Sequence, residues 1–485
     1  MFLSILVLAL LGTPTSPQTP APQPGPGPAM LQPLLLGPPK LLSKEILDGG
    51  FNNIDAGVLV EFGPQGRRYE VWEVQKNVSM NHALVLAYDA SGSELWRTKF
   101  TWQQDPWFKP LASTVDAAGD LYFMYLANAY DLYRWRIVKV TAAGVVAWDK
   151  TLHSTTWGRE PTFLAPHPQG GVVVHSAAEG KVRDLYTARV TADGNVLWQQ
   201  KFDAGGKNQY PGGLAVAADG SIYIAGDDDD THVLKYAADG ALVWQRDHPG
   251  GAYGYMRTRH VFLASDDNLV VAGSTYAGGA DPDWYFVDKY TPAGVRLRSL
   301  VTELSDGTKL ADDGLRSVYA THAPDDTVYF AWDHDNTLAS KWTVARVDVP
   351  PEPQLRATPR PAMQPAPALR KTMRVAWQNT FHSERGMSVE KLVWFPHGAL
   401  GVFGRGHHTI KPNTYRADTR LVALKPNGDD LGMIDFTSPG NFDNEPQAYA
   451  VDARGIAHVL GWQYYSGDGW NDENVMRLRF TLSPL

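Results

Sequence analysis

The chain has 485 residues, 44% hydrophobic and 20% charged, with a formal net charge of −8, 16 Trp, 45 Gly, 34 Pro and no Cys. That length supports a large core, and the acidic balance argues against a nucleic-acid partner, which needs a basic face. The absence of Cys removes disulfides, thiolate metal sites, Cys nucleophiles and a lipid-modified Cys.

In chain order, residues 1–16 open with the apolar run FLSILVLALLG, too short to span a bilayer and of export-signal length. The reading is a secreted or periplasmic protein with no membrane span after signal removal. A Pro-rich linker follows at 17–39. From residue 40 the chain repeats. VLAYDASGSELW (85–96), VKVTAAGVVAW (138–148), ARVTADGNVLW (188–198) and LKYAADGALVW (234–244) each place Gly four residues before Trp. A second hairpin alternates with the first, as in TVDAAGDLYFMY (114–125) and LAVAADGSIYIAG (214–226). Two hairpins per unit make four short strands, A to D, the signature of a propeller blade.

Counting these units gives an all-β propeller of eight blades, with seven as the alternative. The last unit, near 447–483, lacks a D strand, and KLLSKEIL (40–47) stands ahead of the first blade as an orphan D strand. The expectation is that this N-terminal strand completes the last blade, which removes the free sheet edges. The sixth blade is interrupted by a Pro-rich insert at 349–370. Trp96, Trp148, Trp198, Trp244 and Trp377 recur at one place in strand D, so each is expected to pack on the neighbouring blade. Arg298 and Gly432 take that place in the fifth and seventh blades. The Asp-Gly and Asn-Gly turns are read as backbone geometry, since Gly, Asn and Asp tolerate positive φ.

The repeats resemble the D-G-x-I/V-Y-V-A-G and K-Y-D-x-x-G-x-x-x-W hairpins of exported bacterial propellers. They are also similar to the repeat of the pyrroloquinoline-quinone dehydrogenase superfamily, whose docking motif is A-x-D-x-x-T-G-x-x-x-W. Ala87, Asp89, Gly92 and Trp96 come closest to it, one residue short in the spacing. The quinone enzymes usually carry a Cys pair against the cofactor, which this chain lacks. The resemblance implies a propeller without quinone, of the kind whose relatives act as scaffolds or assembly factors.

The A–B and C–D turns are short and share one face. The B–C and D–A loops share the other and are long, varied and rich in Trp, Tyr, Asp, Arg and His. Loops held by a rigid scaffold are where binding residues collect. Candidate ligand-binding residues are Trp135, Arg136, Trp157 and Trp284, as aromatic platforms and a cation, with Arg257, Arg259 and His260 for an anionic group such as a uronate carboxylate or a phosphate. His407 and His408 are a further candidate pair. Asp228, Asp230 and His232, with Asp333 and Asp335, are candidate metal ligands, and Ca²⁺ is the cation that carboxylate oxygens favour. No cofactor is otherwise expected. No G-x-S-x-G, H-E-x-x-H or P-loop pattern is present. The function read from these features is a non-catalytic exported propeller that binds a carbohydrate or a protein partner through its varied face. The alternative is a polysaccharide-active lyase or glycosidase using His, Arg and acidic residues of that face.

Overall fold

The computed structural model describes residues 36–47, 55–75, 81–101, 107–129, 132–155, 162–179, 182–250, 255–276, 284–303, 318–333, 341–351, 373–382, 387–411, 414–436, 442–465 and 474–484. They form eight four-stranded antiparallel sheets. In seven sheets the strands are sequential. In the eighth, Leu36–Leu47 pairs with Asn474–Pro484 and so supplies the D strand that the C-terminal unit lacks. The alternative of seven blades is thereby excluded.

The burial pattern explains the sequence pattern. In blade 4, strand B (Ile222–Asp227) and strand C (Thr231–Tyr236) are buried at every residue, because each blade is covered on both faces by its neighbours. Apolar residues therefore follow one another without alternation (Ile222 to Ala225, Val233-Leu234), and the polar members Asp227, Thr231, His232 and Lys235 are buried with them. Strand D of blade 3 (Val196–Phe202) alternates exposed and half-buried residues and forms the rim. The A strands are innermost: Asp55–Phe62, Trp107–Val115, Phe163–Pro166, Tyr210–Val216, Tyr255–Leu263, Tyr319–His322, Met387–Phe395 and Phe442–Val451. Each contacts the A strand of the next blade, and the last contacts the first, so they ring the axis.

Most A–B and C–D turns share one hydrogen-bond pattern, seen as Thr191 N to Asn195 O at 2.9 Å with Gly194 N to Thr191 O at 3.0 Å; the A–B turn of blade 1 holds the short 3-10 turn Pro64–Gly66 instead. Asp267 and Asp326 hold φ of 59° and 67° in turns where other blades place Gly. The Asp89 carboxylate accepts from Ser91 N at 2.8 Å and Ser93 N at 2.9 Å, and Asp219 accepts from Ser221 N at 2.8 Å, so these turn carboxylates serve the backbone.

The repeated tryptophans form an interlock between blades. The indole N–H groups of Trp96, Trp148, Trp198, Trp244 and Trp377 donate to the carbonyls of Ala142, Ala192, Ala238, Pro292 and Pro426, at 2.8–3.0 Å. Each acceptor lies two residues before the turn Gly of the following blade. Each indole also lies where that Gly would carry a Cβ: the position built on Gly240, at φ +88°, is 2.6 Å from Trp198. The Gly is required both for its left-handed backbone and for the space.

Candidate functional site in the central channel

The A strands share an irregularity that sequence pattern did not show. In six of them the register to strand B skips one residue: Val58, Leu111, Gly212, Arg259, Glu390 and Gln447. A bulge leaves its extra residue out of the ladder and re-aims its side chain. In blades 5 and 7 the bulged residue is charged and a basic side chain follows it: Arg259-His260 and Glu390-Lys391. Titratable groups are thereby brought toward the axis.

Arg257 and Arg259 sit in the same strand but differ in what holds them. Arg257 donates from Nη1 to Asp227 Oδ2 at 2.9 Å and to Asp228 O at 2.8 Å, and its guanidinium covers the Tyr210 ring at 4.6 Å. Asp227 is buried and also accepts from Thr258 N at 2.8 Å. Burial pushes its carboxyl up to about 6, against the pull of Arg257. Arg259 is half-buried, yet its Nε and Nη2 are covered and have no hydrogen-bond partner. Burial draws its guanidinium below the ordinary value, with Asp227 opposing.

Deeper along the same strand, His260 Nε2 meets His322 Nδ1 at 2.8 Å, and Phe262 stacks on His322 with ring centroids 3.9 Å apart. Burial takes His260 down to about 3, with His322 and Lys391 adding to the effect, so the pair is neutral at neutral pH. Opposite, Ser113 Oγ donates to Glu61 Oε1 at 2.8 Å. Burial raises the Glu61 carboxyl to about 7, while Ser113 and Lys391 oppose the rise. Desolvation lowers the Lys391 ammonium, with Glu61 opposing. Glu390 completes the ring: it pairs with Arg405, accepts from Tyr449 Oη at 2.7 Å, and has its carboxyl raised by burial.

The remaining candidates fall elsewhere. Trp135 is buried in the core with Tyr122, Met124 and Ile137, because strand alternation turns it inward, so it is not a loop platform. Arg136 is engaged by Asp149 at 3.0 Å and Thr151 at 3.2 Å. Trp284 begins strand Trp284–Tyr290 and is half-buried. His407 and His408 lie on strand Ala399–Lys411, where their backbones oppose Ala417 and Arg416. Their side chains, Trp157 and Asp335 lie outside the described residues, and of Asp333 only its place at the end of strand Val328–Asp333 is described. In the acidic turn, Asp228 Oδ1 accepts from Asp230 N at 2.8 Å, Asp230 Oδ1 accepts from Gly250 N at 2.9 Å, and His232 contacts Asp247 at 2.8 Å and Asp228 at 3.3 Å. These groups tie the turn to its own backbone. Among the described residues no three His, Asp or Glu side chains gather as metal ligands. Glu61, Lys391, Glu390, Tyr449 and His322 were absent from the sequence reading. The available signal was a charge inside an otherwise apolar A strand, as in VLVEF and VEKLVWF.

A family model described as the outer membrane protein assembly factor BamB matches residues 184–320, from strand C of blade 3 to the start of blade 6. The chain is similar to the PQQ-like propellers. It lacks their Cys pair. No curated protein sequence matches the chain. Among solved structures, the Dos1 propeller is 9% identical, with a TM-score of 0.46 over 91% of this chain and 94% of that one. The polysaccharide lyase Uly1 is 10% identical, with a TM-score of 0.41 over 93% and 100%. A protein of unknown function from Bacteroides caccae is 13% identical, with a TM-score of 0.31 over 62% and 89%. These likenesses are of fold. Among the described residues no helix is long and apolar enough to cross a membrane.

Proposed function

We propose that the chain is an exported, non-catalytic propeller that binds a carboxylate-bearing ligand, a uronate-containing carbohydrate or an acidic segment of a protein partner, at the centre of its varied face. The observation that carries the reading is Arg259. Its Nε and Nη2 form the edge of the guanidinium with which Arg420 holds both oxygens of Asp435, and here that edge is unmet. A buried donor pair without acceptors is costly, and turning it onto a carboxylate supplies two charge-assisted bonds. Similarity to a family described by an outer membrane assembly factor agrees with an exported binding role. Calorimetric titration with oligogalacturonate and with a neutral oligosaccharide of equal length tests this. Binding of the acidic glycan that falls at least tenfold in Arg259→Gln, with the melting temperature unchanged, supports it. Equal binding of both glycans, or no effect of the substitution, overturns it.

A second reading is favoured by Glu61. A carboxyl raised to about 7 beside a Ser hydroxyl and Lys391 has the protonation range of a general acid or base. The corresponding activity is cleavage of an acidic polysaccharide, by elimination or hydrolysis. Appearance of unsaturated or reducing ends, lost in Glu61→Gln, distinguishes it from binding alone.

A further inference from the structure

The interlock of tryptophans and glycines leaves one receiver empty. Trp96, Trp148, Trp198, Trp244 and Trp377 seat on Gly144, Gly194, Gly240, Gly294 and Gly428. Gly92, at φ +93°, is the sixth glycine of this kind, and its Cβ position has nothing within 4 Å. The two other seams without an indole have no receiver of this form. Blade 6 carries its Pro-rich insert where the C–D turn stands, and blade 8 has no C–D turn because its D strand comes from the N-terminus.

The vacancy follows from the closure. Arg479 in strand C of blade 8 pairs with Ser43, as Arg346 pairs with Trp377 in blade 6, and the same bulge precedes both. Ser43 thus stands in the indole position with a side chain too short to reach blade 1. Its Oγ is covered and has no hydrogen-bond partner, and the same holds for Arg479 Nε. The carbonyl that the missing indole would engage is Ala90 O, and Arg454 Nη1 donates to it at 2.7 Å instead.

A cavity of about 340 Å³ opens at this seam, within the range of roughly 300–1,000 Å³ typical of small-ligand sites. Gly92 and Tyr88 line it, with Trp72, Leu84 and Leu86 behind them and Leu47 on the closing strand. Gly92 and Tyr88 are the positions that receive the indole elsewhere. Trp198 packs on Gly240 and Tyr236 with ring centroids 6.0 Å apart, and Trp244 on Gly294 and Tyr290 at 6.4 Å. We propose that the seam between blades 8 and 1 is a binding site for an indole-sized aromatic ring, supplied from outside where the other seams supply it from within. The walls are mixed: Leu47, Leu84, Leu86, Trp72 and Tyr88 offer apolar surface, Glu45, Glu94, Arg97 and Arg477 offer charge, and the Arg477 guanidinium, 4.8 Å over the Tyr88 ring, is itself a planar cation on which an indole stacks. The site is separate from the channel and stands without the carboxylate reading.

Titration of the intact protein with indole and with N-acetyl-tryptophanamide, followed by calorimetry and saturation-transfer NMR, tests it. The expected result is saturable binding of at least one probe with one-to-one stoichiometry. Comparable affinity for the amide indicates a Trp side chain of another polypeptide as the source, and preference for indole indicates a free aromatic compound. Ser43→Trp supplies the missing ring, so it should weaken probe binding at least tenfold and raise the urea midpoint. Leu47→Trp, which fills the cavity from its other side, serves if Ser43→Trp does not fold. Absence of saturable binding, or affinity unchanged within twofold in the filled variant, overturns the proposal.

Discussion

Substituting Ala for Gly at two equivalent turns separates the cost of backbone geometry from the cost of the interlock. Gly92 and Gly240 have nearly the same φ, +93° and +88°. A side chain in the left-handed region costs about 1–2 kcal/mol, and that term is common to both. A Cβ on Gly92 meets nothing within 4 Å, whereas on Gly240 it falls 2.6 Å from Trp198. Since carbons in contact prefer about 3.5–4 Å, the indole must shift by about 1 Å. Overpacking of this kind costs about 1–3 kcal/mol, and loss of the 2.9 Å bond to Ala238 O adds about 0.5–1.5 kcal/mol. Gly240→Ala should therefore be less stable than Gly92→Ala by about 2–4 kcal/mol. In a chain this long each kcal/mol moves the melting temperature by only about 1 °C, so urea unfolding followed by circular dichroism is the better assay. A Trp198→Leu background should remove most of the difference, because the steric partner is gone. Equal midpoints for the two Gly variants would refute the account of the interlock.

Other outcomes follow from the closure and the titrating groups. Arg477 holds Glu70 at 2.6 Å and Tyr88 Oη at 2.7 Å and pairs with Glu45 of the closing strand. Arg477→Met leaves Glu70 buried with one cation, Arg68, and should cost about 3–5 kcal/mol in urea unfolding. Glu45→Gln removes a pair whose carboxylate is 41% exposed and should cost under about 1 kcal/mol. His175 is buried and held down to about 4 by that burial. The unfolded chain takes up its proton first as pH falls, so this contribution to stability is full above about 6.5 and is lost toward 4. In His175→Gln the urea midpoint should vary less over that range. Glu61 acts in the opposite sense. Its folded value near 7 exceeds the ordinary 4.5, so its contribution is present at low pH and is lost as pH rises from 4.5 through 7. Glu61→Gln should flatten that slope, and carbon NMR of the Glu61 carboxyl should show its midpoint near neutrality.

Strand order, blade count and closure were legible because two hairpins recur with fixed turn residues, and KLLSKEIL stands where a ring needs one more strand. The packing role of Trp198 and its equivalents was legible for the same reason. That Ser43 occupies the indole position was not, since a bulge between Leu41 and Ser43 shifts the register and no turn marks it. Arg259 was a candidate, but its difference from Arg257 depends on Asp227, which comes from the neighbouring blade. Glu61, Lys391 and His322 belong to blades 1, 7 and 6, and only the ring brings them to one axis. Trp135 misled because aromatic and charged neighbours in LYRWR suggest a loop, while the strand runs through them and alternation buries the indole.

The eighth blade joins the first described strand to the last. Leu41 and Phe480 face each other across about 440 intervening residues. Closing so long a loop is entropically costlier than closing a short hairpin, by about 4 kcal/mol on logarithmic scaling. Until Asn474–Pro484 is in place, Leu36–Leu47 lacks its ladder partner. Closure of the ring thus depends on strand Asn474–Pro484. A polypeptide stopped a dozen residues early lacks Arg477 and its whole strand, leaves Glu70 with one cation fewer, and presents two unpaired edges. Such unpaired edges are templates for pairing with other chains, so the joint that closes the ring also protects it from aggregation.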